Sequence, residues 1–136
     1  MKVSVPRIAL ACMLAAGLSA LSANAPVNEE AGRLLAELAR TSLEYDLYNT
    51  RCRGNASSTK TEDSNRLFMS KYRLTVNQVI SRYIGSDDRA QRALIEQEFL
   101  QRLSQMGGCL MAKKSKLRKV LDKNYRQLFE QISNLP

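Results

Sequence analysis

Histidine and tryptophan are absent from this chain of 136 residues, and no stretch alternates apolar and polar residues with period two for long. Without histidine there is no Ser-His or Cys-His pair, no imidazole metal site and no default general base. Cysteine is scarce as well. Cys12, Cys52 and Cys109 lie far apart, so none forms a CxxC redox centre or a zinc knuckle. Internal repeats and low-complexity tracts are missing too. The longest apolar stretch, Ile8 to Leu21, is too short and too rich in alanine and glycine for a comfortable membrane span. Carboxylates do come in pairs, at Glu29/Glu30, Asp87/Asp88 and Glu96/Glu98. The first two pairs sit at expected helix starts, where they complement the dipole. Adjacent side chains on a helix also point about 100° apart and do not converge on one substrate. These absences argue against an enzyme, and nothing in the sequence calls for a cofactor or a metal.

Residues 1–25 read as a secretory signal. Lys2 and Arg7 make a basic start, Ile8 to Leu21 the apolar stretch, and Ala23-Asn24-Ala25 the small-x-small cleavage pattern. Pro26 fits poorly just after a scissile bond, which leaves Ala20-Leu21-Ser22 as the fallback site. Ala9-Leu10-Ala11-Cys12 resembles a lipobox only loosely. The chain is then expected to be periplasmic or secreted, with residues 26–136 as one domain. That length supports one modest core, which a staple would help. Cys52 and Cys109, which lie 57 positions apart, most simply pair in an oxidising compartment.

Period 3.6 recurs throughout and predicts an all-α fold, a small up-and-down bundle of about four helices. The first is expected from Asn28, a plausible cap, to Thr50, with Ala31, Leu34, Leu38, Tyr45 and Cys52 on one stripe and Leu43 and Leu47 on another. Arg53 to Ser64 is polar and reads as a surface loop; within it Asn55-Ala56-Ser57 matches a glycosylation sequon, relevant only to a eukaryotic source. A second helix is expected from Asn65 to Ile84, carried by Phe68, Tyr72, Val76, Val79 and Tyr83, with Gly85 as its stop. The third starts at Ser86-Asp87-Asp88, carries Ile95, Phe99, Leu103 and Met106, and ends at Gly107-Gly108. The fourth runs from Cys109 to Asn134, with Leu110, Leu117, Leu121, Leu128, Ile132 and Leu135 facing one way.

Two short stretches carry resemblances. Leu74-Thr75-Val76-Asn77-Gln78 spells LTxxQ, which resembles the motif of the Spy/CpxP periplasmic chaperones. That resemblance implies a threonine that caps a helix and a glutamine that reaches back to it. The unbroken apolar stripe from Phe68 to Tyr83 instead places Thr75 inside a helix. Further on, Cys109, Leu117, Leu121, Tyr125 and Leu128 fit the frame C-x7-L-x3-L-x3-Y-x2-L. This frame resembles the helical signature of the LprI-type lysozyme-inhibitor family, whose members are small exported proteins. Two departures stand out: Arg118 occupies a place where the family often has an acid, and Cys52 lies far from Cys109. The same leucines also suffice as a core face.

The strongest functional clue is electrostatic. Between Lys113 and Arg126 stand Lys113, Lys114, Lys116, Arg118, Lys119, Lys123 and Arg126 against the single acid Asp122. The rest of residues 26–136 carries equal numbers of basic and acidic side chains. On one straight helix, Lys116, Lys119, Lys123 and Arg126 would form a positive ridge opposite the leucines, suited to an anionic partner. Export, and the lack of interleaved stacking aromatics, argue against nucleic acid. A non-enzymatic exported protein that binds an acidic protein partner in the cell envelope is therefore expected, as an inhibitor, immunity factor, chaperone or secretion adaptor. The alternative is an envelope-surface module that binds anionic lipid or polymer through the basic helix. The charge also bears on the lysozyme resemblance, because a basic inhibitor suits a neutral or acidic muralytic enzyme.

Overall fold

The computed structural model describes residues 27–136, so the expected signal segment and Cys12 lie outside the described residues. Within them the chain is all-helical, with six helices where four were expected: α1 (Glu29–Arg53), α2 (Thr59–Tyr72), α3 (Val76–Tyr83), α4 (Asp88–Gln105), α5 (Gly108–Lys114) and α6 (Leu117–Asn134). Helix α1 is the axis, packed against α2, α3, α4 and α6. Helices α2 and α6 run against it: Ser42 meets Ser64, Asp46 meets Lys60, and Tyr45 reaches Asp122. Helix α4 runs with it, as Arg40 pairs with Glu98 and Glu44 with Arg102. Helices α3 and α5 are short links between the long ones.

The start of α2 shows tertiary structure overriding local composition. The expected loop shrinks to residues 54–58, because 59–64 are helical. Ser58, at the N-cap position, makes no side-chain cap bond. The buried Asp46 of α1 caps the helix instead. Its carboxylate accepts from the backbone N–H groups of Lys60 (3.1 Å) and Thr61 (2.9 Å) and from the Thr61 hydroxyl (2.7 Å). A buried carboxylate satisfied in this way both ends α2's unpaired donors and docks it onto α1.

The expected second helix is two helices. Arg73 takes a left-handed conformation (φ 54°) and closes α2, and α3 begins after Thr75. Thr75 is therefore a cap and not an interior residue. Gln78 N–H donates to the Thr75 hydroxyl (3.1 Å), and Thr75 N–H donates to the Gln78 side-chain oxygen (2.9 Å), a reciprocal capping box. Asn65 takes up a further orphan donor, accepting from Val76 N–H at 2.9 Å. Leu74 and Val79, before and after the cap, are buried in the same core. This is the local geometry that the LTxxQ stretch implies. Thr75→Ala should lower stability by about 1 kcal/mol, measured by chemical denaturation, and amide exchange over Val76–Tyr83 should accelerate more than elsewhere.

Two cores divide α1 between them. Leu34, Leu35, Leu38 and Ala39 pack with Phe68, Tyr72, Val79, Ile80 and Ile132. Further along, Tyr45 and Tyr48 pack with Phe99, Leu103, Ala112 and Leu121. Glycine at position 32 permits a close approach at the first core, since a Cβ there would stand 2.8 Å from the Tyr83 ring. Tyr125 joins the two cores, with its ring 6.3 Å from Tyr45 and 5.7 Å from Phe129. The Lys60 ammonium lies over both tyrosines, 5.3 Å from the Tyr45 centroid and 4.7 Å from that of Tyr125.

Burial pushes the Tyr125 phenol up to about 12; the nearby charges of Asp63 and Asp46 add to the rise, and the Ser64 hydrogen bond opposes it. The consequence for stability has a definite sign. At neutral pH the phenol is protonated in both folded and unfolded chains. Above the ordinary value of 10.0 the unfolded chain ionises and the folded one does not. Stability should therefore decline as pH rises from about 10 towards 12, with the last phenolate absorbance appearing only near the upper end. Ultraviolet titration alongside denaturation at each pH checks this.

Candidate functional site

Cys52 and Cys109 are disulfide-bonded, their Cα atoms 5.3 Å apart. The bond fastens the last turn of α1 to the first turn of α5. Gly107, at φ 100°, precedes α5 and lets the chain reverse after α4. Ala112 is fully buried against the second core, where its small side chain lets α5 lie close. After Lys114 the helix stops: Ser115 N–H donates to Met111 O (2.9 Å), and Lys116 turns left-handed at φ 59°. The expected fourth helix is thus two helices, α5 and α6. Leu117 comes five positions after Ala112, out of step with one continuous stripe, so the break lets Leu117 and Leu121 turn into the core. Leu110, expected to face inward, is 66% exposed.

The break folds the basic segment around the disulfide. A cleft of about 450 Å³ results, with Tyr48 and the Cys52–Cys109 bridge as its floor and Arg53, Lys113, Lys116, Arg118 and Lys119 as its walls. No carboxylate lines it. Arg33, Arg40, Arg51, Arg66, Arg102 and Arg126 each reach a carboxylate. Among the described residues no ion pair involves the five cations of the cleft. Arg53 is held by its hydrogen bond to the Asn49 side chain (3.2 Å).

The expected ridge is therefore divided. Lys116 and Lys119 line the cleft. Lys123 and Arg126 face a neighbouring hollow of about 440 Å³ that also contains Asp122 and Glu130. There Arg126 is bound to Asp122 at 2.9 Å, and Asp122 also accepts from the Tyr45 hydroxyl at 3.2 Å. Arg118 and Lys119 border both hollows. Periodicity on a straight helix missed Arg53, Lys113 and Arg118. One signal did point to Arg53: it follows Cys52, and pairing Cys52 with Cys109 carries it towards Lys113, one turn beyond Cys109.

Helix physics disfavours this arrangement. The first turn of α6 has no acid and no side-chain cap, and it carries Arg118 and Lys119 at the positive end of the helix dipole. Cations at that position oppose the dipole by roughly 0.3–1 kcal/mol each. Lys116 adds the left-handed backbone that a non-glycine residue adopts reluctantly, at about 1–2 kcal/mol. Strain and unbalanced charge meet at one place.

The paired carboxylates are structural. Glu29 and Glu30 occupy the first turn of α1, Asp87 caps α4 by accepting from Ala90 N–H (3.0 Å), and Glu96 and Glu98 pair with Arg51 and Arg40. A larger hollow of about 1050 Å³ lies at the other end of α1, beside Tyr83 and Ile84. Its arginines, Arg33 and Arg40, are already paired with Glu37 and Glu98. Among the described residues no three His, Cys, Asp or Glu side chains gather as metal ligands. None of the described helices is long and apolar enough to cross a membrane. The chain matches no family model, no curated protein and no solved structure.

Proposed function

We propose that this is a non-enzymatic, exported binding protein that holds an acidic protein partner of the cell envelope in the cleft beside its disulfide. One observation carries the reading: five cations line one concavity without a carboxylate, three of them at a helix start where they oppose folding. Such a concentration of charge is retained against stability when an anion from outside completes it. The disulfide supports export, because such bonds persist in oxidising compartments. An inhibitor or immunity role fits best. The frame from Cys109 to Leu128 that resembles the LprI-type family supports it, with a neutral or acidic muralytic enzyme as the target class. Chaperone and secretion-adaptor roles use the same chemistry.

Affinity capture from an envelope extract tests the reading. The wild-type protein should retain an acidic protein at low salt and release it as ionic strength rises, because contacts between exposed charges are screened beyond about 8–10 Å in physiological salt. A variant with the cleft cations reversed should retain none of it. Equal capture by both would overturn the assignment.

A further inference from the structure

The solvent side of α5 differs in kind from the cleft. Leu110 is 66% exposed, Met111 45% and Met106 38%, all at the corner where α4 turns into α5. Among the described residues the other exposed large apolar side chains, Met69, Leu94 and Val120, lie singly on α2, α4 and α6. Single exposed apolar residues are ordinary on protein surfaces; a cluster is informative. Met111 lies against the bare Cα of Gly107, where a Cβ would stand 2.7 Å from its Cγ. One turn on from Leu110 and Met111, on the same face, stands the exposed Lys114. Ala112, on the opposite side of the helix, is buried, so the disulfide and the core hold this corner outward.

We propose that the α4–α5 corner is a contact for an anionic bilayer surface. Leu110 and Met111 enter the boundary between headgroups and acyl chains, and Lys114 and its basic neighbours meet the headgroup phosphates. Charge complementarity selects this occupant: residues 113–119 hold five cations and no acid. The size of the corner agrees. It presents three exposed apolar side chains, where a specific protein interface draws on about 20–30 residues a side. A fluid bilayer needs no matching shape, and short apolar insertion combined with cations is how interfacial segments hold to it. Of the five cations, Lys113, Lys116, Arg118 and Lys119 also line the cleft, whereas Leu110, Met111 and Lys114 do not, so substitutions at Leu110 and Met111 test this contact apart from the protein-partner reading.

The test uses the whole chain and vesicles containing phosphatidylglycerol, with phosphatidylcholine vesicles for comparison. Co-flotation should show binding to the anionic vesicles only. Leu110→Ser with Met111→Ser leaves the charge unchanged and should lower that binding at least about tenfold, with an unaltered melting temperature. Because the chain has no tryptophan, Leu110→Trp supplies a local reporter that is insensitive to the rest of the molecule. Its emission should shift to the blue with anionic vesicles and stay fixed with phosphatidylcholine. Binding undiminished by the double substitution, equal binding to both vesicle types, or an unmoved emission at position 110 would each overturn the proposal.

Discussion

Reduction of the Cys52–Cys109 bond should lower the stability of the protein by about 4 kcal/mol, the loop-entropy value for a bridge spanning 57 positions. For a domain of this size that corresponds to a fall in melting temperature of roughly 15 °C. The effect should also be local. Helix α5 has seven residues and no side-chain cap, so apart from the bond it is held mainly by Ala112 in the second core. An isolated helix of that length is not stable in water. Hydrogen exchange on the reduced protein should therefore show residues 108–116 losing protection first, while the core around Phe68 and Ile80 persists. Thiol labelling of the unreduced, denatured chain should modify neither Cys52 nor Cys109. Labelling of both, or a melting curve unchanged by reductant, would remove the bond from the account.

Charge reversal in the cleft should separate folding from binding. Lys113→Glu, Arg118→Glu and Lys119→Glu together remove repulsion among the cations and place two acids in the first turn of α6, where the dipole favours them. The unfolding midpoint should hold or rise. Affinity for an acidic partner should drop about a hundredfold or more, mainly through slower association, since electrostatic steering accounts for differences of that order in on-rate. Lys123→Glu with Arg126→Glu should do much less, because Arg126 is already bound to Asp122 and that hollow holds acids of its own. If the two sets of changes weakened binding equally, the binding surface would be the ridge read from periodicity and not the cleft. Stopped-flow association kinetics at low and high salt distinguish these outcomes.

Much of the fold was legible where local chemistry decides it. Asn28 caps α1 and accepts from Ala31 N–H at 2.8 Å, Asp87 caps α4, and the two cysteines pair as their number suggested. Local reading failed where a distant group decides. No window around Thr59 contains Asp46, which lies on another helix and starts α2 from there. At Thr75 the cap signal was present in the letters, yet the apolar stripe continued across the break and outweighed it. The two helices bury the same core, so periodicity registers no interruption. The break at Lys116 had the opposite effect on the site. It moved Leu110 from an expected core position to the surface and split the four-cation ridge, while the disulfide brought together Arg53 and Lys113, which are far apart in the chain. The excess positive charge was plain from composition; its concavity depended on a bond and a turn.

The central claim is that the cleft, and not basic charge in general, recognises an acidic ligand. Backbone amide NMR of the folded chain, titrated with a short peptide rich in aspartate and glutamate, tests it most directly. Shifts should concentrate at Arg53, Lys113 and residues 116–119, saturate together, and vanish in the Lys113→Glu, Arg118→Glu, Lys119→Glu variant. Shifts spread equally over exposed cations elsewhere, such as Arg82 and Arg89, or persisting in the variant, would contradict the account.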